Sequence, residues 1–137
     1  MNRPPAGVIA LALFFGFGTA MSLLAALALL LPTSAFHNVW RLNPQAHAGL
    51  TAWGPWAVAL MLTVGAACCS AAVGLWRGAR WGRAVAVTIL AVNMLSDASN
   101  AFVRGELRTL IGVPIASALI AYILLNRRVR DYFDRTR

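Results

Sequence analysis

Four apolar stretches, each about as long as a membrane is thick, constrain this chain more than any other feature of its sequence. They cover residues 7–31, 56–76, 82–102 and 109–125. A helix needs roughly 17–25 mostly apolar residues to cross the hydrocarbon core of a bilayer. Because backbone groups in lipid must be hydrogen-bonded within their own segment, we expect each stretch to be a helix.

The composition indicates a membrane solvent rather than a large soluble core. Only 12% of the residues are charged, 60% are hydrophobic, and the mean hydropathy is +0.70. Soluble domains carry roughly 25% charged residues. We therefore predict one all-α membrane domain over residues 1–137, in which four transmembrane helices form an antiparallel bundle without a soluble domain.

The first apolar stretch is expected to stay in the mature protein as a transmembrane helix. A cleaved signal peptide is the alternative, because Arg3 precedes the stretch and the residues Thr33-Ser34-Ala35 form a weak cleavage site. The apolar region of a signal peptide usually has about 7–15 residues. Since the stretch over residues 7–31 is much longer, an uncleaved helix is the better interpretation.

The arginines predict the orientation of the chain. The net charge is +8, and every positive side chain is an arginine. Nine arginines flank one side of the apolar stretches: Arg3, Arg77, Arg80, Arg83, Arg127, Arg128, Arg130, Arg135 and Arg137. Three flank the other side: Arg41, Arg104 and Arg108. Positive flanks stay in the cytoplasm, so both termini should be cytoplasmic.

The same arginines predict the partners. Arg77, Arg80, Arg83 and the C-terminal arginine cluster should meet the head groups of anionic lipids. Nucleic acid is not expected as a partner, because most arginines lie just outside apolar stretches. The C-terminal tail is expected to continue the last helix and to lie on anionic lipid, and docking of a partner protein is the alternative.

The loops between the stretches differ in length. The first, residues 32–55, is long, and we predict a short interfacial helix that ends at Asn43-Pro44, followed by a turn over residues 45–50. Its tryptophans favour the boundary between water and lipid. The second loop, RGARWGR, is tight and predicts an antiparallel hairpin. Within the last stretch, Pro114 predicts a kink.

One carboxylate, Asp97, lies within the third apolar stretch. Asn93, Asp97, Asn100 and Arg104 are separated by four, three and four residues. At about 100° per residue they share one face of a helix. An ionisable residue inside a span is costly and is by default a candidate for function. The candidate binding cluster therefore contains Asn93, Asp97, Asn100, Arg104 and Arg108.

Two interpretations of this cluster stay open. In the first, Asp97 pairs with Arg104 or Arg108 as a structural clamp, since the planar guanidinium suits a partly buried ion pair. In the second, the cluster lines a small outward-facing cavity for a cation, a proton or a polar ligand. Asp97 would lie in the outer third of its helix in either case.

Motifs for enzymatic chemistry or metal binding are not seen. Cys68 and Cys69 are adjacent, point in different directions on a helix, and are both expected to be small residues in a seam where helices pack together. A dimer contact is the alternative for those small residues. His37 and His47 are expected at the surface, since their spacing does not suit a zinc site. We predict no cofactor, no metal and no catalytic residues.

Two stretches, GLWRGARWGRAVAV (Gly74 to Val87) and LIGVPIASALIAYILLNRRVRDYF (Leu110 to Phe133), carry a resemblance. They resemble uncharacterised small four-span integral membrane proteins of bacteria, which carry a W-R-x-x-R-W-x-R turn between spans and a similar arginine-rich ending. The resemblance covers mainly the second half of the chain. It implies four spans and a location in the bacterial inner membrane, and it implies no activity.

These observations favour a structural or accessory membrane protein that binds a lipid or a membrane partner. The alternative is a small-solute or ion transporter or channel, as a monomer or a homo-oligomer, in which Asp97 and Asn93 line the path. A membrane enzyme is the least favoured. It would need a second polar group with a matched pKa beside Asp97, and the sequence does not require any such group there.

Overall fold

The fold is helical throughout the part of the chain that the structure describes. A computed structural model describes residues 4–31, 35–104 and 111–134, without the side chains of His37 and Arg104. In chain order the helices are α1 (Ala6–Leu30), a 3₁₀-helix (Ala35–Arg41), α2 (Pro44–Thr51), α3 (Pro55–Trp76), α4 (Arg80–Arg104), α5 (Gly112–Leu125) and α6 (Arg127–Asp134). The predicted all-α class is confirmed.

Among the described residues, three single helices are long and apolar enough to cross a membrane. They cover Ala6–Leu30, Pro55–Trp76 and Arg80–Val103, with 25, 22 and 24 residues. At about 1.5 Å per residue each is longer than the ~30 Å of a hydrocarbon core. Large apolar side chains on them are exposed, including Leu13 and Phe17 at 65% and 66%. The bounds predicted for the first three spans agree with these helices to within two residues.

The fourth predicted span, residues 109–125, differs from the structure. Helix α5 has only 14 residues, which is about 21 Å at 1.5 Å per residue. It is long enough to cross a membrane only if it is counted together with α6. The axes of α5 and α6 are bent by 57° at their junction. The expectation that the tail continues the last helix is therefore wrong.

Asn126 causes the bend between α5 and α6. Its backbone is extended at the end of α5, with ψ near 116°. Its side-chain oxygen accepts hydrogen bonds from the backbone N–H groups of Arg128 at 3.0 Å and Val129 at 3.4 Å. Asparagine is among the residues that best cap a helix N-terminus in this way. One residue thus ends one helix and starts the next.

Pro114 lies in the first turn of the helix that contains it. It is the third residue of α5, where a missing N–H group costs little because N–H groups of the first turn have no partner within the helix. The Ser117 hydroxyl donates to the carbonyl of Val113 at 2.8 Å, which is not a carbonyl that Pro114 leaves unpaired. Within α5 no full helical turn precedes Pro114, and residues 105–110, which precede this helix in the predicted span, lie outside the described residues, so the kink stays a prediction.

The chain divides into two compact units. Unit 1 contains Met1–Leu13 and Ser70–Arg137, and unit 2 contains Phe14–Cys69. Helices α1 and α3 each contribute to both units. Most of the largest fully buried side chains belong to unit 1: Val8, Leu75, Ile123, Val129 and Phe133.

In unit 1, a tight turn joins α3 to α4, as the sequence predicts. Gly78 has φ +67°, and the N–H groups of Gly78 and Ala79 donate to the carbonyls of Leu75 and Gly74. This pair of bonds is the Schellman arrangement that commonly ends a helix at glycine. Gly74 and Gly82 then bring the two backbones into direct contact, and a Cβ on either glycine would overlap the other residue.

In unit 2, small residues lie where α1 meets α3. A Cβ on Gly18 would touch Cys68 Sγ at 3.4 Å, and a Cβ on Gly65 would touch Ser22 at the same distance. Cys68 is buried, whereas the neighbouring Cys69 is exposed. Cys68 therefore lies in a helix-packing seam as expected, whereas the exposed Cys69 does not lie in this seam.

The connection between α1 and α3 contains two short helices. The first, where the sequence predicts a short helix, is a 3₁₀-helix, and it ends at Arg41. Asn43 caps α2, because its side-chain oxygen accepts from the Ala46 N–H at 3.0 Å. Asn43-Pro44 therefore ends one element and starts the next, as predicted from the sequence. Thr33 and Ser34, which belong to the weak cleavage site noted in the sequence, lie outside the described residues.

Candidate functional sites

The polar face of α4 is the first candidate site. Asn93, Asp97 and Asn100 lie on this uninterrupted helix at the spacing that puts them on one face. Asn93 is exposed, and Asp97 and Asn100 are half-buried. Arg104 is the last residue of α4, without a described side chain, and Arg108 lies outside the described residues. The pairing of Asp97 with either arginine therefore stays a prediction.

A contact that the sequence did not predict fixes the surroundings of Asp97. A Cβ placed on Gly112 would overlap the carboxylate oxygen Oδ2 of Asp97. Gly112 is the first residue of α5, so the carboxylate lies against the N-terminal end of that helix. Helix N-termini carry a partial positive charge that stabilises anions. Asp97 thus takes part in the packing of α4 against α5.

A second contact gives the direction in which these helices pack. The Ser117 hydroxyl lies 3.2 Å from Met94 Sδ, while donating its proton to the Val113 carbonyl, which is the stronger acceptor. Met94 contacts Ser117, and Asp97, three residues later on α4, lies against Gly112, five residues earlier on α5. Helices α4 and α5 are therefore antiparallel, with Asp97 near the end of the contact.

The second candidate site is formed by the α3–α4 turn and α6. Val129 and Phe133, one helical turn apart, are buried. The Tyr132 hydroxyl donates to the Trp76 carbonyl at 2.9 Å, and Arg80 pairs with Asp134 at 2.9 Å. Because both side chains of that ion pair are more than half exposed, it contributes only about 0.2–1 kcal/mol. Burial of the apolar face holds α6 in place.

The remaining surface of this site is strongly basic. We define the basic surface as Arg77, Arg80, Arg83, Arg127, Arg128 and Arg130. All but Arg83 are exposed, and Arg83 is half-buried. Two carboxylates, Asp131 and Asp134, accompany these six arginines on the same segments. The apolar pair Val129 and Phe133 within a charged segment was the sequence signal for a helix packed on one face, although it is equally typical of a helix lying on lipid.

The histidines of the first loop lie apart from both sites along the chain. The His47 ring stacks on Trp40, with ring centroids 4.9 Å apart and an angle of 24° between the planes. Trp40 is buried, and its indole N–H has no hydrogen-bond partner among residues 4–31, 35–104 and 111–134. Over those same ranges, no three His, Cys, Asp or Glu side chains come together as a metal site would require.

Comparison with known proteins adds no relative: no family model, no curated protein and no solved structure matches the chain. The resemblance to small four-span bacterial membrane proteins therefore stays a prediction.

Proposed function

We propose that the protein is an accessory protein of the bacterial inner membrane that binds anionic lipid through the basic surface. In this proposal four helices form an antiparallel bundle, both termini are cytoplasmic, and the first loop lies on the outer membrane surface. The nine-to-three distribution of arginines supports this orientation, because arginine-rich flanks stay in the cytoplasm. The basic surface then faces the leaflet that is rich in anionic lipid.

The packing of α6 is the observation that carries the proposal. Val129 and Phe133 are turned inward, so the arginines of the same helix are left on the outside. A free amphipathic tail would lose conformational entropy when it settled on a membrane. Here α6 is already ordered against the α3–α4 turn, and its charges are arranged before lipid binds. Each arginine near an anionic surface contributes about 1 kcal/mol.

The experiment is a lipid titration of the purified protein in neutral detergent. We expect phosphatidylglycerol to raise the melting temperature more than phosphatidylcholine does. Replacing Arg127, Arg128 and Arg130 with glutamine should weaken phosphatidylglycerol binding on the order of a hundredfold, from about 1 kcal/mol each. Arg41→Gln is the matched control, since this exposed arginine lies in the 3₁₀-helix outside the basic surface. Equal stabilisation by both lipids overturns the proposal.

Asp97 has a structural role in this proposal. A carboxylate on a transport path must be free to exchange its ligand with water. The close approach of Asp97 to Gly112 favours a packing role, because the carboxylate occupies the space that a side chain at position 112 would take. The transporter alternative makes a separate prediction, which is proton or cation flux in liposomes that Asp97→Asn abolishes. Absence of flux is the result expected for an accessory protein.

A further inference from the structure

A groove in unit 1 lies next to the basic surface. Ala12 and Leu13 of α1 and Ala72, Val73, Trp76 and Arg77 of α3 line a volume of about 250 Å³. Ala12 is almost fully buried, whereas Leu13 and Trp76 are more than half exposed. Small side chains thus leave room between larger exposed ones. The lining is apolar except at Arg77, which follows the last residue of α3.

Arg77 and Trp76 place a polar boundary at one end of this groove. Tryptophan side chains favour the level of lipid head groups, and arginine offers a planar fork of donors that matches a phosphate. The backbone here is held by two hydrogen bonds. The Arg77 N–H donates to the Val73 carbonyl at 3.0 Å, and the Trp76 carbonyl accepts from the Tyr132 hydroxyl at 2.9 Å. The backbone that carries the Arg77 side chain is therefore held in place by these hydrogen bonds.

We propose that this groove binds one phospholipid of the anionic class, with an acyl chain along Ala12, Ala72 and Val73 and the phosphate at Arg77. The inference rests on the proposed function, because it assumes that the basic surface meets anionic lipid. Charge complementarity selects this occupant. An apolar chain fits the lining of the groove, and the net charge of the adjoining arginines favours a negative head group over a zwitterionic one.

The test is a titration of the full chain in detergent, with bound lipid counted by native mass spectrometry. Arg77→Gln should weaken binding of phosphatidylglycerol about fivefold, which corresponds to roughly one arginine near an anionic surface. Ala72→Leu should weaken it as well, because the larger side chain occupies the groove. Val73→Phe, at the exposed rim, replaces Ala72→Leu if that variant does not fold. Arg41→Gln should bind as the wild type does.

Glycerol phosphate tests whether the acyl chain matters. It carries the same phosphate but no chain, so it should not displace the lipid at matched concentration. Displacement by glycerol phosphate, or wild-type binding by both Arg77→Gln and the groove-filling variant, overturns the inference.

The outcomes also separate this inference from the proposed function. If the triple variant of Arg127, Arg128 and Arg130 loses its preference for phosphatidylglycerol while Arg77→Gln and Ala72→Leu bind normally, the proposed function stands and the groove is overturned. If the wild type shows no preference for phosphatidylglycerol, both fail.

Discussion

The carboxylate of Asp97 lies directly against Gly112, where α5 begins. The two residues depend on each other. A side chain at position 112 would remove the space that the carboxylate occupies, and the carboxylate lies at the positive end of α5. This contact turns the polar face of α4 into part of a helix–helix junction, and it can be tested from either residue.

Gly112→Ala should destabilise the protein by about 1 kcal/mol, because the added methyl group overlaps the end of the Asp97 side chain and forces the carboxylate away from the start of α5. The measurement is chemical unfolding in detergent. Gly16→Ala is the matched control, since a Cβ there meets nothing within 4 Å. That control should be neutral or slightly stabilising, because alanine favours a helix over glycine. In the Asp97→Ala background, Gly112→Ala should cause no further loss of stability, which would identify the overlap with the carboxylate as the cause.

The predicted ion pair of Asp97 calls for a double-mutant cycle with Arg104. Asp97→Asn and Arg104→Ala should each destabilise the protein, and the two changes should couple by more than about 0.5 kcal/mol in the free energy of unfolding. The same cycle with Arg108→Ala identifies the partner if Arg104 shows no coupling. A neutral or stabilising Asp97→Asn would contradict the structural role and would favour the transporter.

Gly74 and Gly82 should each be intolerant of alanine. Because their backbones touch, one added methyl group must push α3 and α4 apart, which we expect to cost at least about 1–3 kcal/mol. The double variant should cost less than the sum of the single variants, since the first methyl group has already separated the helices. Thermal unfolding of the three variants in detergent measures this, and strict additivity would contradict it.

Removal of the Phe133 ring should release α6. A buried phenylalanine replaced by alanine costs about 3–5 kcal/mol, which is several times the contribution of the exposed Arg80–Asp134 ion pair. Faster amide hydrogen exchange in residues 127–134, with unchanged exchange in α4, would report the release. Asp134→Asn is the control, because it breaks only the exposed ion pair with Arg80 and should change exchange little.

Alkaline pH should weaken the contact between the Tyr132 hydroxyl and the Trp76 carbonyl. Burial raises the pKa of the Tyr132 hydroxyl above its usual value. The folded state therefore holds the phenolic proton more tightly than the unfolded state does. The resulting stabilisation is complete below the usual tyrosine pKa and is lost as the pH rises through the raised value. Phenolate absorbance of a Tyr122→Phe variant, in which Tyr132 is the remaining tyrosine, should titrate above the midpoint of an unfolded sample.

Long-range packing limited what the sequence could predict. The bounds of α1, α3 and α4 follow from apolar stretches that end at arginine, glycine or proline, and the α3–α4 turn follows from its glycine. The position of Gly112 could not be predicted in the same way, because it depends on how α5 aligns with α4. The two contacts, Met94 with Ser117 and Asp97 with Gly112, set that alignment.

The tail was ambiguous for a different reason. Val129 and Phe133 make one apolar stripe among arginines, and such a stripe is suited to lipid and to protein alike. Asn126 was the deciding residue, and its capping role depends on a backbone that leaves the helix there. In the first loop, Asn43-Pro44 indicated where the short helix ends but did not distinguish a 3₁₀-helix from an α-helix.

The turn between α3 and α4 also bears on how the chain is assembled during synthesis. Its stabilising hydrogen bonds join residues at most five positions apart, and the glycine contact joins residues eight apart. Contacts this close in sequence form quickly and need little of the chain to be present. The α3–α4 hairpin can therefore form while the ribosome is still adding α5, so that each later helix meets a surface that already exists.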